Sequence, residues 1–190
     1  VQAGVPASRI VFSGVGKTEE EITLALQADS GRGIQAFHAE SIPELERIER
    51  VASRLQCKAR FSVRWNPNVS ARTHPYISTG LKKNKFGLDR TEIRMLLKQL
   101  PQFPSLEWVG LSCHIGSQIL SLKPFQDAGA LTRDLWLSLS DDLRAIGRPG
   151  LRSLDLGGGL GVSYSSKDKP VSPKAYTAWI AKLWKSFPKS

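Results

Sequence analysis

The chain has 190 residues and 41% hydrophobic content, which predicts one domain with a sizeable core and excludes compositional disorder. No run of about 18 apolar residues occurs, and the first residues lack the order of a signal peptide, so we expect a cytoplasmic protein without membrane association. The net charge of +10 is spread along the sequence without a nucleic-acid recognition motif, so no nucleic-acid partner is expected.

Short segments rich in β-forming residues alternate with segments of helical periodicity. The predicted strands occupy residues 9–12, 34–38, 59–65, 106–113 and 151–156. Three of the helices that follow begin with a capping box, in which a polar cap precedes a glutamate by three positions: Thr18 with Glu21, Ser41 with Glu44, and Asp89 with Glu92.

The two helices nearest the end of the chain are predicted from spacing alone. One covers residues 124–146 before a C-capping Gly147, and its expected inward positions are Phe125, Ala128, Leu131, Leu135, Leu139 and Leu143. The other follows Pro173, with its expected apolar face formed by Tyr176, Ile180, Leu183 and Trp184. Cys57 and Cys113 lie in apolar segments and are predicted to be reduced core thiols.

Regular alternation of strand and helix predicts an α/β fold with a parallel sheet. Two architectures satisfy it, an open doubly wound sheet and an eightfold barrel, and both place functional residues at the C-terminal ends of the strands. The chain supplies about five βα units, so a barrel would be incomplete. Residues 66–86 depart from the alternation, which predicts a functional or interface loop.

The sharpest motif follows the fourth strand and reads Cys-His-Ile-Gly-Ser-Gln over residues 113–118. His114 brings an imidazole to a strand end, Gly116 lets the backbone approach a ligand closely, and Ser117 offers a hydroxyl donor. A loop histidine without a ligand explains the motif less specifically and stays open at this point.

A run of glycines follows the fifth strand, where residues 155–161 read Asp-Leu-Gly-Gly-Gly-Leu-Gly. The successive amides of Gly157, Gly158 and Gly159 suit a phosphate nest, although a tight turn explains them equally well. Residues 14–18, Gly-Val-Gly-Lys-Thr, also follow a strand, but a P-loop would need its first glycine at the position of Val11. Nucleotide hydrolysis is therefore not expected.

Two charged residues end neighbouring strands, Glu40 the second and Arg64 the third. Both are expected at the same rim as His114 and Gly157. They could contact a ligand or form a structural ion pair across the mouth of the barrel. The histidines show no metal-ligand spacing, so no metal is expected.

Five strings together resemble the diaminopimelate decarboxylase family and span nearly the whole chain: CHIGSQ, DLGGGLG, FSGVGKTEEEI, HPYISTGLKKNKFG and AESIPELERI. The resemblance implies a pyridoxal 5'-phosphate enzyme in which residues 1–190 form an incomplete cofactor-binding (β/α) barrel. It also implies that the first strands, the last strand and a C-terminal β-sandwich are absent from this chain.

The resemblance implies a role for each of the motif residues. His114 would stack on the pyridine ring, Ser117 and the glycines 157–159 would contact the phosphate, and Arg64 would lie near the phenolic oxygen. Glu40 would lie near the imine-forming lysine, and Lys85 at a homodimer contact. The imine lysine and the proton-donor cysteine of the family have no counterpart here, so no catalytic residue is assigned and the chain by itself is expected to be inactive.

For the complete protein the resemblance implies decarboxylation of meso-diaminopimelate to L-lysine, the last step of lysine biosynthesis, with a small amino acid as substrate. Two alternatives stay open. One is a decarboxylase of the same fold that acts on ornithine, arginine or a carboxylated polyamine, and the other is a cofactor-binding or structural fragment without turnover.

Overall fold

Five strands and the helices that follow them make up the chain, which a computed structural model describes for residues 3–69 and 86–187. The strands are β1 (Val11–Phe12), β2 (Ala36–Ala39), β3 (Ala59–Trp65), β4 (Leu106–Cys113) and β5 (Ser153–Asp155). The helices are α1 (Glu19–Gly31), α2 (Ile42–Arg54), α3 (Arg90–Gln99), α4 (Lys123–Ala145) and α5 (Pro173–Trp184), with short 3-10 turns at Ala7–Arg9 and Leu100–Gln102.

The sheet is parallel throughout, and its spatial order β1-β2-β3-β4-β5 is the order of the sequence. A doubly wound sheet reverses direction at a switch point, whereas here each strand is added beside the preceding one. The arrangement is therefore that of a partial barrel, which confirms the barrel alternative. Within the described ranges, no helix combines the length and apolarity needed to cross a membrane.

The two faces of the sheet differ in chemistry because side chains alternate along each strand. Phe37, Phe61 and Val63 belong to the apolar core beneath the helices. On the other face, His38, Ser62 and Asp155 line a cavity of about 380 Å³. The interior face of this partial barrel thus combines polar with apolar side chains, whereas the helix-covered face is apolar.

All three predicted caps begin their helices, and two of the three form the full capping box. Thr18 and Asp89 both form complete capping boxes, with the cap side chain accepting from the N3 amide and the N3 glutamate accepting from the cap amide. Ser41 caps α2 by accepting from Glu44 N at 3.3 Å, but the Glu44 carboxylate accepts from Glu40 N instead of Ser41 N. The third capping box is therefore wrong in its second half.

Two expected inward positions on the last helices are also wrong. Leu131 of α4 is exposed, and its neighbour Thr132 is buried because its hydroxyl donates to Ala128 O and accepts from Trp65 Nε1. On α5 Trp184 is 61% exposed, and no residue of that helix is fully buried, since among the described elements it packs chiefly against α4.

The β3–β4 register contains a bulge, because Phe61 pairs with Trp108 whereas Ser62 pairs with Gly110. Gly110 is then pressed against β5. A Cβ at this position would overlap the Ser153 side chain and lie 2.6 Å from Ser153 O and 2.8 Å from Ser62 Oγ.

We therefore expect Gly110→Ala to lower the free energy of unfolding by about 1–3 kcal/mol through overpacking. The matched control is Gly16→Ala, since a Cβ at Gly16 meets no atom within 4 Å. It should change stability by less than about 0.5 kcal/mol. Chemical denaturation of both variants measures the difference, and equal stabilities would show that the β4–β5 contact is looser than described.

Candidate functional site

Two loops at the C-terminal ends of β4 and β5 are tied together by backbone hydrogen bonds. Ile119 N donates to Gly159 O at 2.9 Å, and Gly161 N donates to Ile119 O at 3.0 Å. The Gln118 side chain adds two more bonds, donating to Val162 O at 2.5 Å and accepting from Val162 N at 3.1 Å. The loop after β4, which carries His114, and the loop after β5, which carries the glycines 157–159, therefore form one structural unit.

Glycine is required at two positions where these loops touch. Gly157 has φ +72° and Gly159 has φ +102°, both in the region that disfavours other residues. A Cβ at Gly157 would overlap Cys113 O and lie 3.2 Å from His114 Nδ1, and one at Gly159 would overlap Gly116 O. A Cβ at Gly158, in contrast, would meet nothing within 4 Å.

The same turn presents backbone donors. Gly157 N is engaged by Asp155 Oδ1 at 2.7 Å. The N–H groups of Gly158 and Gly159 donate to no acceptor among residues 3–69 and 86–187. Two neighbouring amide donors in a glycine turn, beside an exposed imidazole, form a site suited to an anion such as a phosphate.

Arg64 and Glu40 form an ion pair between the ends of β3 and β2. Arg64 Nη1 lies 2.9 Å and 3.0 Å from the two carboxylate oxygens of Glu40. The Glu40 side chain is 3% exposed and that of Arg64 is 24% exposed. The other side of Arg64 lies over the Phe86 ring and lines a cavity of about 190 Å³ together with His114 and Gly116.

The predicted site residues are brought together only in part. Arg64 and His114 share this cavity, and Glu40 joins it through Arg64. Gly157 and Gly159 contact the His114–Gly116 loop, and Ser117 is exposed beside Gly159. Neither Glu40 nor Gly159 lines the cavity that contains Arg64. Lys85 lies outside the described residues.

These residues fit pyridoxal 5'-phosphate by their chemistry. The glycine turn offers amide donors for a phosphate, the imidazole of His114 is free to face an aromatic ring, and Arg64 offers a cation close by.

A polar group in the barrel interior was missed by sequence reasoning. Ser13 Oγ lies 3.0 Å from His38 Nδ1, and Asp155 Oδ2 lies 3.7 Å from the same nitrogen. A nucleophile–histidine–carboxylate triad uses both ring nitrogens, so this group is not one. Ser112 Oγ, on the strand between Arg64 and Asp155, is buried without a hydrogen-bond partner in the described structure. The sequence does carry a signal for this group, because His38, Ser112 and Asp155 alternate with apolar residues along their strands and are therefore expected on one face of the sheet.

Burial lowers the pKa of His38 from its ordinary value of 6.5. The negative charges of Asp155 and Glu40 act in the opposite direction, and the positive charges of Lys17 and Arg64 add to the lowering. A neutral imidazole agrees with Nδ1 accepting the hydroxyl proton of Ser13. His38 is therefore an uncharged residue of the barrel interior. Burial also raises the pKa of the Cys113 thiol to about 11, so this thiol stays protonated and unreactive.

A parallel partial barrel with a glycine turn suited to an anion, beside a loop that carries a histidine, is typical of barrels that bind a phosphorylated cofactor. Residues 1–190 match the family model described as "Pyridoxal-dependent decarboxylase, pyridoxal binding domain". The chain belongs to this family.

Curated relatives are diaminopimelate decarboxylases. The chain is 46% identical over 170 residues to that of Pseudomonas aeruginosa and 47% identical over 174 residues to that of Vibrio cholerae, covering 90% and 92% of this chain. It spans only 39% of either relative. Among solved structures, diaminopimelate decarboxylase from Helicobacter pylori complexed with L-lysine matches with a TM-score of 0.80 at 40% identity, over 98% of this chain and 45% of that one.

The lowered pKa of His38 gives stability a definite pH dependence. Below pH 6.5 an unfolded His38 takes up a proton that the folded one does not, so this contribution is present above pH 6.5 and is lost as the pH falls toward the lowered folded value. We expect His38→Gln to reduce the slope of unfolding free energy against pH in that window. Gln35→Ala, which lines the same cavity without titrating, should keep the wild-type slope. A His38→Gln slope equal to wild type would contradict the assignment.

Proposed function

We propose that the complete protein containing this chain binds pyridoxal 5'-phosphate and decarboxylates meso-diaminopimelate to L-lysine. The observation that carries the proposal is the pair of joined loops, with Gly157–Gly159 packed against His114–Gly116 at the strand ends. The relatives named above carry the same activity in their names, although the chain spans about two fifths of their length. Residues 1–190 would form one cofactor-binding domain.

The cofactor, when bound, supplies the electron sink for loss of the substrate carboxylate. The residues of this chain hold it in position. The amides of Gly158 and Gly159 and the hydroxyl of Ser117 would donate to the phosphate, which fixes the anionic end at the glycine turn. His114 would contact the ring face, and Arg64 would offer positive charge at the phenolic oxygen while Glu40 restrains it.

Lys17 does not supply the amine that the reaction requires. Its side chain is 0% exposed, and its ammonium group donates to Gly14 O, His38 O and Glu44 Oε1. An amine buried in this way neither reaches the cavity beside His114 nor offers a free electron pair. In the proposed reaction Lys17 is therefore a structural residue, and the contribution of the loops after β4 and β5 is to position the cofactor.

Homodimerisation and a cytoplasmic location are parts of the same proposal, with Lys85 at the dimer contact. A second candidate is decarboxylation of ornithine, arginine or a carboxylated polyamine. Structures of lysine/ornithine decarboxylase from Vibrio vulnificus and lysine decarboxylase from Selenomonas ruminantium match with TM-scores of 0.69 and 0.72. At 22% and 23% identity these matches show the shared fold alone.

The substrate class is tested by measuring carbon dioxide release from the complete protein supplied with pyridoxal 5'-phosphate. We expect kcat/KM for meso-diaminopimelate to exceed that for ornithine and arginine by at least about a hundredfold, because a site built to pair the distal carboxylate of its substrate rejects analogues without that group. Preference for ornithine or arginine would replace the proposal by its alternative, and no release from any substrate would contradict both.

Cofactor binding is tested at the glycine turn. We expect Gly159→Ala to raise the dissociation constant for pyridoxal 5'-phosphate by at least about tenfold, because the added methyl group displaces the Gly116 carbonyl and strains a backbone at φ +102°. Absorbance titration of the complete protein measures the constant. The control is Gly4→Ala, which also has positive φ but no neighbour within 4 Å. Gly4 precedes β1, whereas the glycine turn follows the C-terminal end of β5, so this variant should bind the cofactor like wild type.

A further inference from the structure

The loop between β1 and α1 contains the most deeply buried charge among the described residues. Lys17 is 1% exposed, and its Nζ lies 2.5 Å from Gly14 O, 2.8 Å from His38 O and 2.5 Å from Glu44 Oε1. An ammonium group has three donors, and all three are engaged. The glycine-rich segment that resembled a P-loop therefore directs its lysine inward to protein acceptors.

The partner carboxylate connects this lysine to the rim of the barrel. Glu44 is 5% exposed, and while Oε1 accepts from Lys17, Oε2 accepts from Glu40 N at 2.9 Å. This is the bond that replaces the second half of the expected capping box. The lysine also binds His38 O, so the pair engages the backbone of β2 on both sides of Ala39.

Glu40, whose backbone amide donates to Glu44, is also the residue whose carboxylate binds Arg64. Both oxygens of Glu40 lie within 3.0 Å of Arg64 Nη1, and Arg64 lines the cavity that contains His114. A continuous series of hydrogen bonds thus runs from Lys17 through Glu44 and the Glu40 amide to Arg64. It joins the β1–α1 loop, the first turn of α2 and the ends of two strands.

We propose that Lys17 and Glu44 are positioning residues, whose buried ion pair sets the end of β2 so that Glu40 presents Arg64 to the cofactor. The inference rests on the proposed function, because it concerns affinity for pyridoxal 5'-phosphate. Removing one partner of a buried ion pair leaves an uncompensated charge, but replacing both by apolar residues of similar volume is often neutral for stability. An apolar pair fills the space without bonding His38 O or Glu40 N.

An apolar pair therefore distinguishes a role of Lys17 and Glu44 in positioning the cofactor from a role in the stability of the fold. In the complete protein, Lys17→Met combined with Glu44→Leu should keep the melting temperature of the apo form near that of wild type, yet raise the dissociation constant for pyridoxal 5'-phosphate by about tenfold. The same double substitution placed on an Arg64→Met background should cause no further loss of affinity, because the group being positioned is gone. Thermal unfolding and absorbance titration give the two readouts.

Two control substitutions lie on α2, the helix that carries Glu44. Arg54→Gln removes an exposed ion pair with Glu19 that also joins α2 to α1, and should leave affinity unchanged. Ile48→Ala creates a cavity in the core side of α2 and should lower the melting temperature without the Arg64-dependent loss of affinity. If the double variant does not fold, Glu44→Gln is compared with Ile48→Ala in the same two backgrounds. Both single substitutions should lower the melting temperature, because Glu44→Gln leaves the Lys17 charge unpaired, but only Glu44→Gln should lose affinity in a way that depends on Arg64.

The outcomes are distinguishable. Wild-type protein that does not bind the cofactor overturns the proposed function. Wild-type protein that binds, together with a folded double variant that binds equally well, overturns the positioning role and leaves the proposed function intact. A loss of affinity that is the same with and without Arg64 also overturns it, because the pair would then act by another route.

Discussion

The constraint on which the site depends is the sequential parallel order of the strands. Right-handed crossovers through the helices bring every strand C-terminus to one rim. Neighbouring strands are in register at Arg64, Ser112 and Asp155, so the residues that follow them emerge side by side. His114 and Gly157, separated by more than forty positions in the chain, come into contact for this reason.

Contact between the loops then depends on the absence of side chains at two positions. The Cys113 and Gly116 carbonyls occupy the space that a Cβ would take at Gly157 and Gly159, and the positive φ angles allow the close approach. Because Gly158 is not restricted in this way, packing explains two glycines of the run and leaves the third open to the solvent side. The open position and its free amide are where a ligand would be accommodated.

Much of the fold was predictable because its signals are local. β3 and β4 begin and end at the predicted residues, since both are long runs of β-forming side chains bounded by turns. The Thr18 and Asp89 boxes were predictable because each cap and its glutamate are only three residues apart in the sequence. The choice of a barrel over a doubly wound sheet rested on resemblance, because strand order is not encoded in periodicity.

What escaped prediction involves contacts between distant segments. Leu131 and Thr132 exchange roles on α4 because the hydroxyl of Thr132 finds partners on its own helix and on β3, which helical spacing cannot reveal. The hydrogen bond between His38 and Ser13 escaped prediction for the same reason, because a histidine in a strand carries no sign of a serine in the loop after the preceding strand. Among the predicted site residues, the ion pair of Glu40 with Arg64 is one of the two alternatives that the sequence leaves open, and the structure shows it.

Glu44 illustrates how a strong local rule yields to a stronger nonlocal one. A capping box would have given its carboxylate one neutral amide, whereas the buried ammonium of Lys17 requires a negative partner and would be very costly to leave alone. The carboxylate therefore turns toward Lys17, and its second oxygen takes the nearest remaining donor, the amide of Glu40 rather than that of Ser41. The shift is a single residue along the backbone. It moves the bond from the cap of α2 to the residue whose side chain faces Arg64, so burial of one lysine connects helix capping to the geometry of the barrel mouth.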